Sequence, residues 1–264
     1  MDIFSGIILG VVQGLTEFLP ISSSGHLILA REVLGLQTEF GLSFDAVLQL
    51  ATSLAVLVYF RKDCMRIAIA LGAILKRQAV EKRDKILLLA IVLGTIPGVV
   101  LGLLLEDTMA TTFRSAELVA WTLIFGSILF FLAEKVARQN ESLSVKKGLW
   151  IGFFQVLALI PGMSRSGVTI SGGLFLGLKR EDAARFSFLL AFPIIFGSGV
   201  RKLFELNGVG ALGDIGTSLF AGGIAAFVVG MLTIHYLLRY LRNHTLTIFI
   251  IYRLALAGTI FILI

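Results

Sequence analysis

Two short segments of the chain place polar and ionisable side chains within apolar sequence. The first is "QGLTEFLPISSSGH", which contains Gln13, Glu17, three consecutive serines and His26. The second is "PGMSRSG", in which Arg165 stands between two serines. An ionisable group at the depth of a membrane is costly, so both segments are candidates for a functional site.

Glu17 and Asp45 are the only carboxylates well inside the apolar sequence. A structural ion pair is the alternative role for Glu17, and a helix cap is the alternative for Asp45. Gln13 and Glu17 are four residues apart, which places them on one face of a helix. A carboxylate beside an amide oxygen can hold a hard divalent cation such as Mg²⁺ or Ca²⁺. Gln13 and Glu17 are therefore candidate metal ligands, and Glu17 could equally act as a catalytic base.

The serine turn of the first segment consists of Ser22, Ser23, Ser24, Gly25 and His26. One serine would suffice to cap a helix. Hydroxyl groups together with the backbone N–H groups of a helix start also form an anion site. A lone histidine is more often structural, but next to a carboxylate and a serine turn His26 is a candidate catalytic residue.

Arg165 is the most specific feature of the second segment. A guanidinium binds phosphate with two hydrogen bonds and keeps its charge when it is desolvated. A structural role would require a buried carboxylate partner, and Glu17 is one of the few available. The neighbouring Ser164, Ser166 and Gly167 are candidate phosphate-binding residues.

The two segments are related by an internal repeat. The spacing Gly-xxx-Gly-xx-Gln begins at Gly6 and again at Gly148, an offset of 142 residues that also relates the two polar turns. We therefore expect a duplication with halves at about 1–140 and 141–264. If the turns meet, they bring together a phosphate clamp, a carboxylate, a hydroxyl and an imidazole, the groups that phosphoryl transfer needs.

Composition indicates a polytopic membrane protein. The chain is 57% hydrophobic and 15% charged, with a mean hydropathy of +0.94, whereas soluble domains are about a quarter charged. The single cysteine, Cys64, excludes a disulfide framework and a cysteine-based metal site. Although the net charge is +6, the basic residues lie in short loops, which argues against nucleic acid as a partner.

The apolar segments predict an all-α integral membrane protein with six full spans and two broken re-entrant hairpins. A full span needs about 20 apolar residues. We expect spans at 44–60, 86–105, 116–134, 186–200, 217–238 and 246–264. Residues 66–75 are too short and read as an interfacial helix. The hairpins are predicted at 3–36 and 148–178, because their apolar arms are too short to cross.

The distribution of lysine and arginine predicts an inverted-topology repeat. One set of loops holds 17 of these residues and the other set holds 4. The first set comprises 61–85, 135–147, 179–185 and 239–244, and the second comprises 31–43, 106–117 and 201–216. With the first set inside, the first hairpin opens outward, the second opens inward, and both ends of the chain lie outside.

The quoted segments closely resemble the undecaprenyl-pyrophosphate phosphatase family, the bacitracin-resistance proteins. The resemblance extends over essentially the whole chain and includes "SGGLFLGL", "FSFLLAFP" and "IYR". It implies an enzyme of the bacterial cell (inner) membrane that removes the terminal phosphate of undecaprenyl pyrophosphate at the extracytoplasmic face. It also implies a divalent cation and recycling of the carrier lipid for cell-wall synthesis. The first family motif has Glu or Gln followed, four residues later, by Glu, and here Gln13 takes the first place.

From these considerations we expect Ser23 to be the nucleophile, with His26 moving protons and Arg165 neutralising charge. His26 as the nucleophile is the close rival. We expect membrane lipid and a polyprenyl pyrophosphate as partners, and a homodimer is possible.

Three other interpretations were weighed. A transporter or flippase of a polyprenyl phosphate could use the same scaffold. A lipid phosphatase of the phosphatidic-acid type would need a His six places after the Arg, where Ser171 stands. A structural membrane protein would leave Glu17 and Arg165 without a purpose.

Overall fold

The structure is a computed structural model that describes residues 1–36, 41–105 and 115–263. The described part consists of α-helices and one short 3₁₀ helix, with no strand, which confirms the predicted all-α class. The helices are α1 Ile3–Thr16, α2 Ser23–Val33, α3 Gly41–Tyr59, α4 Arg61–Leu75, α5 Lys82–Leu104, α6 Ala116–Val136, α7 Val145–Val156, α8 Arg165–Phe175, α9 Arg180–Gly208, α10 Leu212–Leu241 and α11 Thr247–Leu263. Of the predicted loops, residues 37–40 and 106–114 lie outside the described residues.

Five helices of the described chain are long and apolar enough to cross a membrane: α3, α5, α6, α9 and α10. The sixth predicted span, 246–264, is found as the shorter apolar helix α11, which has 17 residues. The span predicted at 186–200 is part of a 29-residue helix, Arg180–Gly208. It is longer than predicted because its polar ends, which a hydropathy criterion excludes, remain helical. Acidic residues occupy its first turn, where the helix dipole favours them.

The two broken hairpins occur where they were predicted. The chain leaves α1 after Thr16 and resumes a helix at Ser23, and it leaves α7 after Val156 and resumes at Arg165. The returning helices α2 and α8 each have 11 residues and begin at an offset of 142. Their arms are too short to span a bilayer. Both hairpins therefore enter the helical bundle and turn within it.

Glycines allow two close helix crossings. Gly10 of α1 lies against the backbone of Gly222 in α10, and Gly152 of α7 lies against that of Gly94 in α5. A Cβ atom at any of these positions would collide with the facing backbone. Such small-residue contacts are typical of helix packing in membranes. Each hairpin is thus held by its first arm against one long helix.

The order of contacts along these pairs gives the relative directions of the helices. Along α1 and α10, residue numbers rise together, from the Gly6–Ser218 contact to the Gly14–Ala226 contact, so these two helices are parallel. Helices α6 and α11 are antiparallel, because Trp121 packs on Phe261 while Glu134 accepts a hydrogen bond from the Leu246 N–H. An inverted arrangement requires these directions.

The basic loops meet at one end of the bundle. Three ion pairs connect them: Arg180 with Glu134, Arg185 with Asp63, and Arg242 with Glu181. The loops that the charge count assigned to the same side therefore contact one another. The predicted interfacial helix at 66–75 lies at this end as part of α4, Arg61–Leu75.

The crossing of α1 with α10 generates a test of the packing. Replacing Gly10 with Ala would place a methyl group against the Gly222 carbonyl. We expect it to lower the free energy of unfolding by about 1–3 kcal/mol, the usual cost of overpacking. Gly216 of α10 is the matched control, since a Cβ there meets nothing within 4 Å. Gly216→Ala should be neutral or stabilising by about 0.5–1 kcal/mol. Thermal unfolding in detergent measures both, and equal effects would contradict the assigned crossing.

Candidate functional site

Groups from both hairpins surround the carboxylate of Glu17. Glu17 lies in the turn after α1 and is 8% exposed. Its Oε2 accepts hydrogen bonds from Ser23 Oγ at 2.8 Å and from Gln13 Nε2 at 2.8 Å. On the other side, Arg165 Nη1 of the second hairpin lies 3.5 Å from Glu17 Oε1. The structure therefore brings together Gln13, Glu17, Ser23 and Arg165, as the sequence predicted.

The two serine turns have the same local geometry. Ser22 and Ser164 are the N-cap residues of α2 and α8, with positive φ angles of 74° and 69°. Their hydroxyls accept hydrogen bonds from the N–H groups of Gly25 and Gly167, at 3.4 and 3.3 Å. Positive φ is uncommon for residues other than glycine and costs about 1–3 kcal/mol. Strain at the same position of both turns is typical of a functional site.

Further contacts within and between the turns fix their relative position. Ser22 and Ser24 hydroxyls are 3.2 Å apart, and those of Ser164 and Ser166 are separated by the same distance. Ser166 Oγ also donates to the carbonyl oxygen of Leu19 in the first turn, at 3.1 Å. Two helix starts, with their free N–H groups, are thereby held close together, and such N–H groups favour an anion.

A cavity of about 260 Å³ lies between the two turns. Its polar wall includes Glu17, the three serines 22–24, Ser164 and Arg165. Helices α3, α5, α7 and α9 complete it with Gln49, Gly98, Gln155 and Ile194 among others. A cavity with a carboxylate, hydroxyls and a guanidinium on one wall and apolar residues opposite suits a ligand with an anionic head and an apolar body.

His26 does not belong to this wall. Its Nδ1 lies 2.7 Å from the Ser22 carbonyl oxygen, and its Nε2 lies 2.8 Å from the Tyr252 hydroxyl. The imidazole also stacks on the Tyr252 ring, with centroids 5.6 Å apart. Both ring nitrogens are thus engaged, and His26 is not among the described residues that line the cavity. The predicted catalytic role of His26 stays a prediction.

The donors around Glu17 fit a hard cation. Gln13 Oε1 is buried and has no hydrogen-bond partner among the described residues. An amide oxygen beside a carboxylate is the donor type that Mg²⁺ and Ca²⁺ prefer. The described part of the chain contains no group of three or more His, Cys, Asp or Glu side chains suited to a metal. A cation held by Gln13 and Glu17 would therefore complete its coordination with water or phosphate oxygens.

Asp45, the other carboxylate of the apolar sequence, lies elsewhere. It pairs with Arg31 of α2, whose guanidinium also donates to the Gly41 carbonyl at 2.9 Å. Asp45 is not among the residues that line the cavity. The interaction ties α2 to the start of α3, so Asp45 has a structural contact in place of the cap or site role that was considered.

Sequence reasoning assigned no role to Arg253, which is fully buried in α11. Its guanidinium donates to the carbonyls of Thr122 and Leu123, at 3.2 and 3.1 Å, and lies over the Phe130 ring. Thr122 in turn donates to the carbonyl of Pro161 in the second turn, at 2.6 Å. Arg253 therefore supports the second turn from behind. An arginine within an apolar span was the available signal, but its partners are backbone carbonyls, which sequence does not reveal.

Comparisons with known proteins agree with this site. The family model described as "Bacitracin resistance protein BacA" matches residues 6–259. A protein of Chlorobium phaeovibrioides named undecaprenyl-diphosphatase is 45% identical, over 100% of this chain and 97% of its own length. Proteins of the same name from Rubrobacter xylanophilus and Elusimicrobium minutum are 42% and 44% identical, over 98% and 99% of this chain and 97% and 98% of their own lengths.

Proposed function

Because the chain belongs to the BacA family of bacitracin resistance proteins, we propose that it hydrolyses undecaprenyl pyrophosphate to undecaprenyl phosphate and inorganic phosphate. One observation carries the proposal: the Ser23 hydroxyl donates to the Glu17 carboxylate while Arg165 faces the same carboxylate. The monophosphate is the carrier lipid of peptidoglycan synthesis. Its recycling accounts for bacitracin resistance.

The cavity binds the pyrophosphate head group of the lipid. Arg165 supplies a permanent positive charge and a planar set of donors suited to phosphate oxygens. The N–H groups at the starts of α2 and α8 and the hydroxyls of Ser22, Ser24, Ser164 and Ser166 supply further donors. Gly25 and Gly167 stand in the first turns of these helices. The polyprenyl tail extends from the apolar side of the cavity into lipid.

Ser23 performs the first step and Glu17 assists it. Ser23 Oγ attacks the terminal phosphorus, and its proton passes to Glu17 Oε2, which already accepts that hydrogen bond at 2.8 Å. The bond between the terminal phosphorus and the bridging oxygen breaks, and undecaprenyl phosphate leaves with the electron pair. A nucleophile within hydrogen-bond reach of its base is the arrangement that covalent catalysis needs.

Water completes the turnover. A water molecule attacks the phosphoserine, Ser23 Oγ leaves and regains the proton held by Glu17, and inorganic phosphate departs. Arg165 stabilises the negative charge on the phosphoryl oxygens in both steps. His26 has no contact with the attacking hydroxyl. It instead orders the serine turn through the Ser22 carbonyl, and its involvement in proton transfer remains a prediction.

A divalent cation, Mg²⁺ or Ca²⁺, belongs to this proposal. Gln13 Oε1 and Glu17 would hold it, and when bound it supplies charge neutralisation to the pyrophosphate oxygens. The support is the buried Gln13 Oε1, which lacks a partner among the described residues.

The proposed location is the bacterial cell (inner) membrane, with the basic end of the bundle in the cytoplasm. The described residues that line the cavity include none of the basic loop residues, which supports a site that opens to the extracytoplasmic side. A homodimer remains a prediction. The relatives described above are named for hydrolysis, and none of them is named for transport, so the flippase alternative has no support among them.

Trapping of the phosphoenzyme tests the assigned nucleophile. Protein incubated with substrate labelled in its terminal phosphate and quenched rapidly should carry the label on Ser23, because Ser23 lies nearest the base. Ser23→Ala should carry none and should lose at least about 10³-fold in activity, as expected when a nucleophile is removed.

Ser24→Ala is the matched control, since Ser24 lies in the same turn without a contact to Glu17, and it should still be labelled. Label on His26 would support the rival nucleophile. A wild-type enzyme that turns over without any covalent label would favour direct attack by water.

Chelation tests the cation. We expect EDTA to abolish phosphate release from undecaprenyl pyrophosphate in detergent, and added Mg²⁺ or Ca²⁺ to restore it. Gln13→Leu should require a higher cation concentration for half-maximal activity, because one ligand oxygen is lost. Full activity in EDTA would overturn the cation proposal and leave the Ser23–Glu17 chemistry standing.

A further inference from the structure

Gln155 is a buried residue of the cavity wall to which no role has been assigned above. It lies near the end of α7, is 3% exposed, and lines the cavity between the two turns. Neither its Nε2 nor its Oε1 has a hydrogen-bond partner within the described ranges of the chain. Leaving a buried amide unpaired costs free energy, and buried polar groups nearly always have partners. The missing partner is therefore expected to be a ligand of the cavity.

The first half of the chain shows what the same glutamine does when a partner is present. Gln13 precedes Gln155 by 142 residues, and its Nε2 donates to Glu17 at 2.8 Å. At the offset of 142 from Glu17 stands Leu159, which cannot accept a hydrogen bond. The second glutamine thus keeps its position in the wall and lacks the carboxylate that satisfies the first.

The surroundings of Gln155 leave its amide open to the cavity. A Cβ atom built at Gly98 of α5 would lie 3.2 Å from Gln155 Nε2 and 3.0 Å from Ile194 Cδ1. Because Gly98 has no side chain, nothing from α5 covers the amide on this side. Gly98 and Ile194 line the same cavity.

We propose that Gln155 is a substrate-binding residue whose Nε2 donates a hydrogen bond to an oxygen of the pyrophosphate group. This inference rests on the proposed function and adds a residue to its binding site. A donor role follows from the ligand, because an ionised pyrophosphate offers acceptors only. Arg165, a cation, lines the same cavity from the second hairpin, so this hairpin supplies donors to the phosphate. The first hairpin supplies the nucleophile and base.

Gln155→Leu and Gln155→Glu test the proposal in purified protein. Loss of a hydrogen bond to a charged group should lower kcat/KM for undecaprenyl pyrophosphate by about 10- to 100-fold in Gln155→Leu. Gln155→Glu should be at least as impaired, because it keeps the shape but replaces the donor with a negative charge. Wild-type kcat/KM in Gln155→Glu would overturn the donor assignment.

Thermal unfolding gives a readout that a purely structural role would not produce. Without ligand, Gln155→Leu should unfold at the same or a higher temperature than wild type, because an unpaired buried amide has been removed. Inorganic pyrophosphate should raise the unfolding temperature of wild type and have much less effect on Gln155→Leu. A lower unfolding temperature with an unchanged pyrophosphate effect would show a structural role and overturn the proposal.

Ser171→Ala is the matched control. Ser171 Oγ is also buried without a partner among the described residues, but Ser171 is not among those that line the cavity. This variant should keep wild-type kcat/KM and a full response to pyrophosphate.

The outcomes separate this inference from the proposed function. Normal hydrolysis by wild type together with a kcat/KM within about twofold of it in Gln155→Leu would overturn the inference alone. If wild type released no phosphate, the proposed function would fail. The response of the two proteins to inorganic pyrophosphate would still decide whether Gln155 binds phosphate.

Discussion

A carboxylate inside a membrane bundle needs partners, because a buried charge that is unpaired costs several kcal/mol. Glu17 is such a group, and its partners come from two places: Ser23 and Gln13 on its own hairpin, and Arg165 on the other. The second hairpin must therefore reach the first within the bundle. The glycine crossings of α1 with α10 and α7 with α5 let both hairpins lie deep enough for this contact.

The two hairpins share a backbone and differ in chemistry. Their returning helices have equal length, and both begin after a serine with a positive φ angle. Ser23 follows this serine in one turn and Arg165 follows it in the other. Similarly, Leu159 stands where the first half has Glu17. Duplication thus produced two equivalent anion-binding turns, of which one became the nucleophile and base and the other the clamp for phosphate.

The sequence predicted the broken hairpins and the meeting of Glu17 with Arg165, because helix breaks and buried charges leave a clear signal in apolar sequence. It did not predict the orientation of His26, since a residue one turn into a helix can face the cavity or a neighbouring helix, and Tyr252 lies far away in the chain. Nor did the repeat extend as expected. The glycines at the two close crossings, Gly94 and Gly222, are 128 residues apart, because α4 occurs only in the first half of the described chain.

The central claim is that Glu17 and Arg165, from opposite halves, act as one catalytic unit. A double-mutant cycle on kcat/KM for undecaprenyl pyrophosphate, with Glu17→Gln, Arg165→Ala and the double variant, tests this most directly. Groups that act as a unit show strongly non-additive losses. We predict that the double variant is hardly worse than the more impaired single variant. Losses that multiply, as for two independent sites, would contradict the account.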